Sequence, residues 1–276
     1  MKSIPAYFLG GNTADGFVSL YEGFCPADSG CFLWIIKGGP GCGKSTFMKA
    51  VADCAEYDGL LVERIYCSGD PNSLDAILIP AWKVAYMDGT SPHCREADYP
   101  AASAAYLDLG KYYVNRSIKP LLKPIMKLTN AYKESYREAY RLLGTLRKVP
   151  RKCIAKEGIF LRAITCGGII DLRPSLYEKT SEKDYHAKEG LILVRNPLFS
   201  DCLDGYFNRE NGKYYEFEET QDIGAAQEIA CPVLKRAKDL HDELEALYHP
   251  FVNFEGVVQT AKEHIAMHRA DFSHEK

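Results

Sequence analysis

An α/β architecture with a mostly parallel sheet is the fold class that the sequence predicts, and three observations predict it. Phe32 to Ile36 is a continuous apolar run, as a strand buried on both faces of a parallel sheet requires. A glycine-rich stretch follows at once, and then Phe47, Met48, Val51, Cys54 and Ala55 recur at helical spacing. A second apolar run, Val84 to Met87, ends on an acid, Asp88.

The stretch between the first strand and its helix reads Gly38-Gly39-Pro40-Gly41-Cys42-Gly43-Lys44-Ser45-Thr46. It fits GxxxxGK[ST] at every fixed position and stands in the required order of strand, loop and helix. The glycines let the backbone curl so that successive N–H groups point at phosphate oxygens. The helix start adds the positive end of its dipole. Lys44 reaches the β- and γ-phosphates, the Ser45 hydroxyl ligates Mg²⁺, and Thr46 is placed to touch the α-phosphate. The fold expected is therefore a P-loop NTPase binding ATP and Mg²⁺. Cys42 holds a free position of the motif, where an incidental thiol is favoured over a redox switch.

Such a loop needs a second carboxylate for Mg²⁺ at the end of a neighbouring buried strand. Asp88 is the favoured acid. Asp70 competes, but its strand carries Glu63 and Arg64 and it lies in a polar turn before Pro71. Gly89 stands where many ATPases place a glutamate base. Thr90 and His93, in the same loop, are candidates to position water or sense a γ-phosphate, set against a reading of each as an ordinary loop residue. Slow or partner-stimulated hydrolysis is the expectation. No guanine-specifying Asn/Thr-Lys-x-Asp stands beside the loop, which favours ATP over GTP.

The 276 residues divide into four expected segments: a nucleotide-binding core at 1–98, a basic helical arm at 99–157, a second half at 158–230 and C-terminal helices at 231–276. With 46% apolar and 26% charged residues the chain reads as a globular protein. It has no apolar segment of membrane-spanning or signal type, so no membrane partner and a cytoplasmic location are expected. The ten cysteines are scattered without CxxC spacing, which favours reduced thiols over disulfides or zinc ligands.

Charge is distributed unevenly. Thirteen of the 34 Lys and Arg residues lie between Lys111 and Lys156, against two of the 37 acids, so this arm carries +11 and the remainder −14. Tyr132, Tyr136, Tyr140 and Leu143 mark one face of a helix there, and Pro120 and Pro124 break whatever precedes it. Three readings stay open for the arm. It is a solvated helical hairpin, a nucleic-acid or protein contact surface, or a source of arginines that close over the nucleotide or dock on the acidic remainder of the chain.

The second half repeats the first. "FLGGNTADGFVSL" at Phe8–Leu20 returns as "FLRAITCGGIIDL" at Phe160–Leu172, an offset of 152 residues. Leu74-Asp75 is echoed by Leu203-Asp204 at an offset of 129, so 23 residues are missing from the second copy, about a strand, a loop and its helix. A degenerate α/β half lacking a phosphate loop is the expectation, followed by helices whose stripe is Val233, Ala237, Leu240, Leu244 and Leu247.

"GGNTADGFVSL", "KGGPGCGKST", "CSGDPNSLDAILIP", "VAYMDGTSPH" and "AKDLHDELEALY" together resemble an uncharacterised bacterial family of P-loop ATPases with tandem NTPase halves. The likeness is strongest from Phe8 to Tyr113. It implies ATP binding on Gly38 to Thr46 and a Mg²⁺ role for Asp88. Members typically carry a loop in each half, and this chain departs from them in its second. The alternatives to an ATPase are a nucleoside or nucleotide kinase, with Arg64, Arg95 or Arg137 neutralising charge, and a nucleic-acid-responsive switch.

Overall fold

The computed structural model describes residues 6–7, 9–13, 16–19, 21–70, 72–145, 153–155, 158–165, 168–174, 192–195, 205–208, 213–216 and 222–274. The N-terminal elements are β1 (Ala6–Tyr7), β2 (Gly10–Thr13), β3 (Gly16–Ser19), β4 (Phe32–Lys37), α1 (Lys44–Tyr57), β5 (Glu63–Tyr66), β6 (Leu74–Ile79), β7 (Val84–Asp88) and β8 (Ala104–Asp108). Six of these strands make one sheet in the order β1-β5-β6-β7-β4-β8. All run parallel except β6, which is antiparallel to both its neighbours. The protein is thus α/β with a mixed, mostly parallel sheet.

The reversed strand follows from connection length. A parallel return needs a crossover of a dozen or more residues, and neither the link from Tyr66 to Leu74 nor that from Ile79 to Val84 is long enough. All six residues of β6 are buried. Alternation on the central strands divides the core in two. Ile36, Val84 and Tyr86 face α1, with Phe47, Met48 and Val51. Leu33, Ile35, Ala85 and Met87 face a layer formed by Leu9, Tyr21, Phe24, Cys25 and Cys31.

After β8 come α2 (Asn115–Ile118) and the 24-residue α3 (Leu122–Thr145). Pro120 lies in a 3₁₀ turn before α3, and Pro124 in its first turn, where a missing N–H costs nothing. The predicted tyrosine face exists: Tyr132, Tyr136 and Tyr140 lie ring against ring along α3 at 6.4 and 6.1 Å. It turns toward α4 (Asp222–Tyr248), where Tyr132 meets His241, and toward the N-terminal hairpin, where Tyr140 donates to Asn12 Oδ1. Lys123, Lys127, Lys133, Arg137 and Arg141 of α3 are exposed. α4 begins at Asp222, ahead of the boundary expected at 231, and absorbs Pro232 within it.

The final helix, α5 (Phe254–His274), packs on α1 and places Val257 and Ala261 in the core beside it. Tyr86 Oη lies 2.9 Å from His264 Nδ1 and 2.6 Å from His268 Nε2. Trp82 stacks on His268 and Trp34 meets His264 edge-on. No helix among the described residues is long and apolar enough to cross a membrane.

Of the second half expected at 158–230, the described residues are strands followed, from Asp222, by the first turns of α4. The strands are β10 (Gly158–Thr165), β11 (Gly168–Pro174), β12 (Ile192–Arg195), β13 (Gly205–Asn208) and β14 (Lys213–Glu216), preceded at the end of the expected arm by β9 (Cys153–Ala155). Every pairing among them is antiparallel. The repeat itself has a structural counterpart. Thr13 pairs with Gly16 across one hairpin, and Thr165 with Gly168 across the other. A two-residue loop can join only antiparallel neighbours, so what recurs is a β-hairpin rather than the start of a parallel unit. The two copies meet, with β10 beside β2. The echo at Leu203-Asp204 and the segment 175–191 lie outside the described residues.

Candidate functional site

The parallel strands β4 and β7 are neighbours, with Ile36 opposite Asp88. That register brings the start of the glycine loop and the predicted acid together at the C-terminal end of the parallel strands. Gly89 N–H donates to the Ile36 carbonyl at 2.9 Å, which locks the two strand ends together. β6 runs the other way, so its first residues, Leu74 and Asp75, arrive at this same end.

Within the loop, Gly41 and Gly43 have φ of 68° and 90°, the left-handed region that side chains avoid. Gly43 also caps α1, and a Cβ there would meet Val257 of α5 at 3.2 Å. Lys44, the first residue of α1, folds back over the loop. Its Nζ donates to the carbonyls of Gly38 and Gly39, each at 3.0 Å, and lies 3.6 Å from Asp88 Oδ2. The Asp88 Oδ1 atom accepts from Thr90 N–H at 2.8 Å and from its hydroxyl at 2.5 Å. Ser45 Oγ accepts from Leu74 N–H at 2.9 Å, and Thr46 is exposed on the first helical turn.

The loop is buttressed from outside. Tyr113 Oη donates to the Pro40 carbonyl at 2.5 Å. Gly41 N–H donates to Glu245 Oε1 at 3.1 Å, so a carboxylate from the last turns of α4 already occupies one loop amide. Cys42 is buried, and burial, opposed by Lys44, pushes its thiol up. The thiol is thus packed in the core beneath the loop, out of solvent.

Asp70 takes a different place. Its Oδ1 closes the turn onto Asn72 N–H, and its Oδ2 pairs with Lys238 of α4 at 3.3 Å. The three arginines considered for charge neutralisation are engaged elsewhere. Arg64 is held by Asp53 and Glu56 on α1. Arg95 binds the carbonyls of Tyr21 and Phe24 and pairs with Asp98. Arg137 is exposed and pairs with Glu134 on its own helix.

His93 is brought to the site, with a partner that sequence reasoning missed. Its Nε2 lies 3.0 Å from Asp75 Oδ2, which also accepts from Tyr21 Oη at 3.0 Å. Burial opposes the charge on Asp75, but His93 and then the neighbouring hydrogen bonds outweigh it and hold the carboxyl below its ordinary range. Burial likewise opposes protonation of His93, and Asp75 outweighs it, so the imidazole is raised. Cys67 Sγ, Asp75 and His93 lie within 4.8 Å of one another, a Cys/His/Asp group that the scattered cysteine spacing does not announce. The signal available was Asp75 itself, an acid inside the apolar run "LDAILI". Glu245 had no local signal at all.

With this geometry in view, no protein-family model, no curated protein and no solved structure matches the chain, and the functional reading rests on its own residues.

Proposed function

We propose that the protein binds Mg²⁺·ATP on Gly38, Gly39, Pro40, Gly41, Cys42, Gly43, Lys44, Ser45 and Thr46 and hydrolyses it slowly or on stimulation by a partner. The observation that carries the reading is the position of Lys44. Its ammonium rests on two loop carbonyls and 3.6 Å from Asp88, at the start of a 14-residue helix. A cation held there meets the phosphates together with the loop amides and the helix dipole. Ser45 and Asp88 supply the hard oxygen donors that suit Mg²⁺, directly or through water. Bound Mg²⁺ would neutralise charge on the phosphates.

Gly89 removes the usual carboxylate base, and its amide and carbonyl are spent on Ile36 and Lys37. That supports slow intrinsic turnover. The kinase alternative draws no support from Arg64, Arg95 or Arg137, all of which are paired.

Thermal unfolding with and without nucleotide tests the reading. Mg²⁺·ATP at about a hundred times its Kd stabilises a one-site protein by about 2.7 kcal/mol, and ATP with chelator should do less. An unfolding curve indifferent to both would sink the proposal.

A further inference from the structure

The end of the sheet that carries Lys44 and Asp88 holds one side chain whose polar atom has no partner. His93 is 5% exposed, and its Nδ1 is buried without a hydrogen bond. Buried polar atoms are almost always satisfied by protein, water or a ligand, so an unpartnered one calls for an explanation. The ring is rigidly held. Nε2 is fixed on Asp75, Phe17 meets the ring edge-on at 5.1 Å, and Tyr21 packs against it at 4.5 Å. His93 N–H donates to the Thr90 carbonyl at 2.8 Å, and Thr90 in turn is held by Asp88. The loop from Asp88 to Arg95 is further pinned by Lys37, whose Nζ donates to the carbonyls of Gly89 and Arg95.

We propose that His93 is the γ-phosphate-binding residue of this site, its Nδ1–H donating to a terminal phosphate oxygen while Asp75 holds the ring from the other side. The inference rests on the ATP reading above and deepens it. Asp75 is a positioning residue, since it acts only through the imidazole. Three features support the assignment. The ring stands on the loop that begins at Asp88, bound through Thr90 to that carboxylate, which lies 3.6 Å from Lys44. Asp75 accepts from Nε2, so the second ring nitrogen is left facing away from its only carboxylate partner. With Nε2 on Asp75, Nδ1 donates in the imidazolium form, which the Asp75 carboxylate favours against burial and which a phosphate dianion would favour further. In the absence of a glutamate after Asp88, this pair gives the chain a means of telling ATP from ADP, and so of coupling the loop at Asp88–Arg95 to the γ-phosphate.

The test compares equilibrium binding of Mg²⁺·ATP and Mg²⁺·ADP to the parent chain, His93→Gln and Tyr21→Phe. A glutamine amide reaches the position of Nε2 and keeps the bond to Asp75, but has no donor at Nδ1. A lost charge-assisted hydrogen bond should weaken ATP about tenfold or more, with ADP unchanged. Tyr21→Phe removes a different Asp75 partner and should leave the ATP:ADP ratio as in the parent. A His93→Gln chain that keeps the parent ratio overturns the inference while leaving ATP binding intact. A chain that loses ATP and ADP equally overturns it too, since that is a structural role. Zinc retained stoichiometrically by the parent and lost from His93→Gln would make the ring a metal ligand and refute the proposal. Parent protein that binds neither nucleotide refutes the ATP reading itself.

Discussion

Lowering the pH should loosen α5 from the core, and the size of the effect can be worked from the Tyr86 site. A phenol carries one proton, so Tyr86 Oη can donate to one imidazole and accept from the other. The arrangement is satisfied with both rings neutral. Burial first, and then the neighbouring His264, depress His268 to about 4, with Asp271 acting weakly against them. His264 is also lowered, by burial, with Glu263 opposing and Lys111 assisting. A histidine whose folded pKa lies below its unfolded value contributes stability that is complete above about pH 6.5 and is lost as pH falls toward about 4. For His268 alone, linkage places the loss at about 2 kcal/mol by about pH 5. That corresponds to a fall of about 5 °C in Tm. Trp34 and Trp82, the two tryptophans of the chain, both touch this histidine pair, so their fluorescence reports the event directly. The comparison is with His268→Gln, whose amide can still bond Tyr86 but does not titrate. Parent and variant share all other titrating groups, so the difference between their pH profiles isolates this ring. Superimposable profiles would refute the reasoning, as would a parent that gains stability on acidification.

Other outcomes follow from the loop. Glu245→Gln removes a carboxylate from the Gly41 amide, a site that a phosphate would use, and should tighten ATP several-fold in a competition titration. Asp88→Asn should abolish most of the Mg²⁺ dependence of ATP binding, weakening it about tenfold with Mg²⁺ and little with chelator. If the exposed lysines of α3 contact duplex DNA, log Kd should change with log salt by about 0.9 per phosphate neutralised, and a flat salt titration rules that surface out.

The centre of the site was legible because several independent signals coincide there. An apolar run, a fixed glycine spacing and a helical period follow one another without a gap between Phe32 and Ala55, and together they fix one strand–loop–helix unit. Asp88 was legible for a related reason, as an acid closing a strand of the right length. The reversed β6 was harder, since a buried apolar run has no periodicity to reveal its direction, and direction is set by the short links on either side. The repeat "FLxxxTxxG" was legible as a recurrence, and the structure shows what recurs, a hairpin, which carries no information about what it is attached to. Asp75 and Glu245 lay beyond local reading altogether. Asp75 meets Tyr21 across 54 residues, and Glu245 meets Gly41 across 204, and only the folded chain brings such pairs together.

The most direct test of the central claim is the equilibrium binding of a fluorescent ATP analogue, with Mg²⁺, to the parent chain and to Lys44→Ala. Lys44 makes its contacts within the loop and with Asp88, so its removal should leave the fold standing while the analogue binds at least about tenfold more weakly. A Lys44→Ala chain that binds as tightly as the parent would contradict the account.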